Sequence, residues 1–221
     1  MTSSIVENNL LRLKQDIVPY TPRIIAVTKY YDESAVIEAF NAGLRDFGES
    51  RAIDAITKIE SLPEKIRQES NFHFIGHLQT NKVNKVVKYF DYIQSVDSCN
   101  LAKAISESAL KIGKVQKILI QANISGEVQK FGFEPEILKT SLEELKQYEG
   151  IHIEGLMCMA PLGADRDELN LIFSKAKTLS DECNRDYGMN FTELSMGMSD
   201  DYVYAVRNGA TMIRIGRLLF N

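Results

Sequence analysis

The stretch Arg23-Ile24-Ile25-Ala26-Val27-Thr28-Lys29, RIIAVTK, decides the fold. Its apolar run reads as a buried strand, yet it ends on a charged amine, and lysine is among the residues least often fully buried. The segment DESAVIEAFNAG (32–43) follows as a helix, with Asp32 as its cap and Gly43 as its stop. The same pairing then recurs. LRDFGES, NFHFIG, YIQSV, VQKILIQANI, IHIEGLMCM, FTELSM and TMIRIG read as strands two to eight. RAIDAITKIESL, TNKVNKVVKYF, SCNLAKAISESALKIG, EPEILKTSLEELKQYEG, DELNLIFSKAKTLSDECNRDYG and SDDYVYAVRNG read as the helices between them. Pro135 falls in a first helical turn, where a missing N–H costs little.

Strict alternation implies a parallel sheet with crossover helices. Eight strands, each followed by a helix and the last only by the stub RLLF, most simply close into an α/β (β/α)8 barrel, the TIM barrel. One extra helix precedes the first strand. An open doubly wound sheet is the competing reading, but no Gly-rich turn follows RIIAVTK. A chain of 221 residues is close to the minimum for such a barrel, and no linker or low-complexity tract interrupts it. One domain over 1–221 is therefore expected.

Composition narrows the function classes. The formal net charge is -4 with Lys and Arg scattered, which offers neither a nucleic-acid tract nor a polybasic anchor. No apolar run is long enough to span a bilayer, and the N-terminus lacks the pattern of a secretory signal. The three cysteines, Cys99, Cys158 and Cys183, are widely spaced and fit free thiols in a reducing cytosol. No His pair has metal-ligand spacing. A cytoplasmic monomer that binds neither nucleic acid, membrane nor metal is expected.

In this barrel, function sits at the C-terminal ends of the strands. There the first strand presents Lys29, the second Ser50, the third His77 and the fifth Asn123. A lone lysine at a strand end is often only reaching solvent. At a barrel mouth its amine can instead attack an aldehyde. The last two strands lead into SMGMS (195–199) and RIGRLLF (214–220). Loops there often hold a phosphate, and the stub's first N–H groups would face an anion. Arg214 alternates with Ile213 and Ile215, so it points inward, where a buried charge needs a partner. That partner is either a carboxylate, Glu193 or Asp200, or a ligand ring. A ligand with an aldehyde, a phosphate and an aromatic nitrogen uses all three features, and pyridoxal 5′-phosphate (PLP) has that shape.

Seven pieces in order, AVTK, FGESRA, HFIGHLQTNK, NISGEVQKFGF, GLMCMAP, LSMGMSDDY and RIGRLLF, resemble the pyridoxal phosphate homeostasis proteins. These are small single-barrel PLP binders related to the N-terminal domain of alanine racemase. The resemblance implies that Lys29 carries PLP as a Schiff base and that Arg214 meets the pyridine nitrogen. It implies that Ser199 and the backbone of Gly216 and Arg217 surround the phosphate, with Ser195 close by. The family more often has FGEN where Ser50 ends FGES, and Gly-Thr where this chain has Gly216-Arg217. His77 and Asn123 are further candidates for lining the pocket. A guanidinium only donates, so Arg214 would leave the ring nitrogen unprotonated and weaken its electron sink. Racemisation also needs an acid and a base on opposite faces. Tyr30, Tyr31, Tyr202 and Tyr204 lie near the loops, and the sequence assigns none of them to that role. The reading is a PLP buffer or carrier with little turnover, PLP-dependent apo-enzymes being its possible recipients. An amino-acid racemase and a Schiff-base aldolase on a phosphorylated substrate are the alternatives.

Overall fold

The structure is a computed structural model that describes residues 4–127 and 131–221. The centre of the NISGEVQKFGF piece, residues 128–130, lies outside the described residues. Eight parallel strands close a barrel in sequential order, from β1 to β8, with β8 pairing back onto β1. They are β1 (Arg23–Val27), β2 (Asp46–Glu49), β3 (Asn71–Phe74), β4 (Tyr92–Val96), β5 (Gln116–Gln121), β6 (Ile151–Met157), β7 (Glu193–Ser195) and β8 (Met212–Ile215). The register sets Ile25 opposite both Asp46 and Arg214, so β1 bridges the second and last strands.

The helices are α1 (Ile5–Asp16), α2 (Glu33–Asn41), α3 (Ala52–Ser61), α4 (Glu64–Glu69), α5 (Val83–Tyr89), α6 (Cys99–Lys111), α7 (Pro135–Leu145), α8 (Arg166–Tyr187), α9 (Tyr202–Arg207) and α10 (Arg217–Phe220). Their starts follow the expected chemistry. Asp32 accepts from the Ser34 N–H, Ser98 accepts from the Leu101 N–H, and Pro135 opens α7. A reciprocal capping box of Ser4 and Glu7 begins α1, the extra helix, which lies against α10. Helix α4 was not expected. It is a single short helix that starts after Pro63 and buries only Ile66, too brief to show a periodic face.

Two apolar shells result from the period-2 alternation of the strands. Outward residues such as Phe47, Phe72, Phe74, Ile93, Ile118, Ile120, Leu156 and Ile213 form the large core beneath the helices. A smaller cluster inside the barrel holds Ile25, Tyr92, Leu119, Met157 and Met212. The rest of the interior is polar, with Asp46, His73, Gln94, Ser195 and Arg214 all buried. Two glycines are demanded by sterics. At Gly155 a Cβ would stand 1.8 Å from the Glu193 carbonyl oxygen, so only glycine lets β6 approach β7 there. At Gly197, with φ +91, a Cβ would collide with the Ala205 Cβ at 2.6 Å. No helix among the described residues is long and apolar enough to cross a membrane.

Candidate functional site

Lys29 stands two residues beyond β1, half-buried at the mouth, with Nζ 5.0 Å from the ring centre of the exposed Tyr30. Its backbone is clamped from two sides. Arg51 Nη2 donates to the Lys29 carbonyl at 3.1 Å, and Lys58 Nζ donates to the Thr28 carbonyl at 2.7 Å. Glu49, the nearby buried carboxylate, is taken up by Lys58 Nζ at 2.7 Å and by the Thr28 hydroxyl at 2.7 Å. Among the described residues no carboxylate lies within ion-pair distance of Lys29 Nζ. The neighbouring carboxylate is thus used to fix the strand end, which leaves the amine for something else.

Arg214 is 4% exposed and lies in the barrel. Its partners are neutral: Nη1 donates to Ser195 Oγ at 2.8 Å and Nη2 to the Cys158 carbonyl at 2.9 Å. Neither Glu193 nor Asp200 is its partner, although the Asp201 carboxylate lies in its field. Glu193 pairs with Arg23 at 3.2 Å, and Asp200 pairs with Arg217 at 2.7 Å. Burial pushes the Arg214 pKa down from its ordinary value, but a guanidinium keeps its charge at neutral pH. A buried cation held by neutral acceptors fits a ligand acceptor at the mouth.

The loop after β7 turns at Gly197, whose carbonyl accepts from the Arg214 N–H at 3.0 Å. Asp201 Oδ1 takes the Met198 N–H at 2.5 Å, and burial raises its carboxyl pKa. Ser199 is half-buried on this loop. After β8, Gly216 precedes α10, and no side chain caps that helix. Within that turn the Leu219 N–H donates to the Gly216 carbonyl at 2.9 Å, while the first N–H groups of a helix otherwise find no acceptor one turn earlier. A Cβ at Gly216 would meet protein atoms only at ordinary contact distance, 3.4 Å, so packing does not demand glycine there. Arg217 is exposed and joins the two loops through Asp200.

Three candidates are spent on neighbours. His77 Nδ1 lies 3.3 Å from Asp97 Oδ2, and its ring stacks on Phe131 at 4.1 Å. Asn123 lies two residues past β5; its Nδ2 donates to the Glu127 carbonyl at 3.0 Å and its Oδ1 accepts from Ser125. Ser50 packs against Gly76, where a Cβ would stand 2.4 Å from the Ser50 carbonyl oxygen. All three belong to loops of the same mouth. The interior polar residues Asp46, His73 and Gln94 are not among the candidates that the sequence offers. The donor set fits PLP: an amine without a carboxylate partner, a buried guanidinium with neutral partners, and an uncapped helix start.

Comparison with known proteins accords with this geometry. The model of the alanine racemase N-terminal domain matches residues 3–221. The pyridoxal phosphate homeostasis protein of Synechocystis sp. is 41% identical over 203 residues, 92% of each chain. PipY of Synechococcus elongatus is 37% identical and covers 98% of this chain and 100% of its own. Its structure without PLP superposes with a TM-score of 0.91, and its structure with PLP bound with 0.88. Fold and match together define a barrel of the alanine racemase N-terminal domain class. Within that class the chain belongs to the pyridoxal phosphate homeostasis protein family.

Proposed function

We propose that this chain binds PLP in the barrel mouth, with Lys29 as its covalent anchor, and acts in PLP homeostasis as a buffer or carrier in the cytoplasm. The observation that carries this is the pairing of an amine at the end of β1 that has no carboxylate of the described residues within ion-pair distance with a buried guanidinium on the adjacent β8 whose hydrogen-bond partners are neutral. When bound, PLP supplies an aldehyde that an amine can capture and a ring that withdraws electrons. Lys29 presents that amine, steadied by the clamps on its backbone and that of Thr28. Arg214 offers its remaining donors to the ring nitrogen and brings no proton acceptor there. Ser199 and the backbone N–H groups of Gly216 and Arg217 receive the phosphate, with Ser195 close by. Ser50, His77 and Asn123 shape the rim.

Two of the four tyrosines near the loops, Tyr202 and Tyr31, favour custody over racemisation. Tyr202 donates to Asp16 at 2.8 Å, and burial and that carboxylate raise its pKa. The Tyr31 hydroxyl is bonded to Asn221 at 3.1 Å. Neither is poised to exchange a proton with a substrate carbon. Transfer to PLP-dependent apo-enzymes by a monomer completes the proposal. The test is titration of the purified protein with PLP, followed by visible absorbance. A saturable band shifted from that of free PLP is expected in wild type and no shifted band in Lys29→Ala. A wild-type spectrum equal to the sum of protein and free PLP at saturating PLP contradicts the proposal. Chiral analysis of incubated amino acids then separates custody from turnover.

A further inference from the structure

The barrel interior holds an unbroken run of hydrogen bonds that leads from the guanidinium at the mouth to a carboxylate deeper in the barrel. Arg214 Nη1 donates to Ser195 Oγ at 2.8 Å, and Ser195 Oγ donates to Gln94 Oε1 at 2.7 Å. Gln94 Nε2 lies 3.0 Å from His73 Nδ1, and His73 Nε2 lies 2.9 Å from Asp46 Oδ1. The run crosses β8, β7, β4, β3 and β2. Ser195, Gln94 and His73 are fully shielded from solvent, so water cannot replace any link.

The chemistry of the two ends fixes every proton between them. A guanidinium only donates, so Ser195 Oγ accepts from it and spends its own proton on Gln94 Oε1. That orients the amide with Nε2 toward His73. An amide nitrogen only donates, so Nδ1 accepts and the ring proton sits on Nε2, facing Asp46. All donors then point the same way, from cation to anion, and each bond polarises the next. Turning the Gln94 amide over would take from the Ser195 hydroxyl proton its acceptor on Gln94. It would also set Oε1 against Nδ1, which suits only a ring protonated at Nδ1. Burial pushes the His73 pKa down despite the pull of Asp46, which keeps the ring neutral. Tyr92 stacks on that ring at 4.5 Å, which fixes the plane of the imidazole.

We propose that His73 is a positioning residue: through Gln94 it holds the Ser195 hydroxyl in place as the acceptor that orients the Arg214 guanidinium, and so sets how the mouth engages the ring nitrogen of the cofactor. This rests on the PLP reading above. The first test needs no variant of the run. Nitrogen NMR of the protein without PLP, with the other two histidines assigned by substitution, should show His73 neutral and protonated at Nε2. A ring protonated at Nδ1, or doubly protonated at neutral pH, overturns the proposal. The second test compares the affinity of wild type, His73→Phe and Arg214→Gln for PLP and for the analogue with carbon in place of the ring nitrogen. His73→Phe should weaken PLP binding roughly tenfold, leave analogue binding nearly unchanged, and add nothing in the Arg214→Gln background. Gln94→Leu severs the run at its middle and should give the same pattern, which covers the case that His73→Phe does not fold. Equal losses for both ligands, or no loss, in variants that fold overturns the role of His73 while PLP binding by wild type stands. Failure of wild type to bind PLP overturns both readings.

Discussion

At the scale of residues, Lys29 is defined by what its neighbours do. Lys58 takes the Glu49 carboxylate, Thr28 adds a hydroxyl to the same oxygen, and the Lys29 amine is left with the face of Tyr30. Glu49 and Lys58 side chains are 4% and 11% exposed, so this is a nearly buried ion pair. Removing one member strands the other, which costs about 3–5 kcal/mol where burial is complete. Glu49→Gln should therefore lower the unfolding free energy by about 3 kcal/mol in urea titration. A change below about 1 kcal/mol would mean that the pair is solvated and does not anchor the strand end. Lys29→Ala removes no such partner and should leave stability within about 0.5 kcal/mol of wild type, measured the same way. Stability thus tests the Glu49–Lys58 pair, whereas the proposed cofactor attachment tests Lys29.

At the scale of elements, the barrel depends on how closely its strands approach. Gly155 sits where β6 meets β7, and the β5–β6 register shifts between Ile118 and Leu119 beside it. Gly155→Ala forces the Glu193 carbonyl away and should cost about 3 kcal/mol, which lowers Tm by about 6–12 °C in a chain of this size. Gly163 makes the contrast: nothing lies within 4 Å of its would-be Cβ, so Gly163→Ala pays only for its positive φ, about 1–2 kcal/mol. Equal losses by thermal melting would refute the steric account. The elements themselves were legible, because a short apolar run buried along its length and a capped amphipathic helix leave local marks. Val83, Val86 and Val87 on α5 are buried as their spacing requires, and Ser98 caps α6. The mouth was legible too, since a strand-end lysine and an arginine between two isoleucines stand out once eight strands are counted. Gln94 and Asp46 were not legible as site residues. Each is an ordinary polar residue within a strand, and the bond from Ser195 to Gln94 spans 101 positions in the chain. Only closure of the barrel brings such residues together.

At the scale of the whole molecule, the barrel is an apolar shell around a polar axis. Arg23, Asp46 and Glu193 form a charge cluster, Arg214 stands at the mouth, and neutral groups join Asp46 to Arg214. That axis makes stability depend on pH. His73 faces Asp46 from β2, Tyr92 from β4 and the Arg23 charge from β1, with Asp91 also in its field. Burial lowers its pKa in the folded state, so the unfolded chain binds more protons below about pH 6.5. The His73 contribution is therefore fully present above that pH and is lost as pH falls toward the folded value. Urea midpoints should decline from pH 7.5 to 5.5, and His73→Phe should flatten that decline; an unchanged slope would contradict a neutral buried ring. The central claim, that this axis ends in a mouth that holds PLP through Lys29, has a direct measurement. Protein loaded with PLP is reduced with borohydride, digested and mapped by mass spectrometry. The account predicts one stable pyridoxyl adduct, on the peptide that contains Lys29, and none there in Lys29→Ala. Label spread across surface lysines, or absent from Lys29 in wild type, would contradict it.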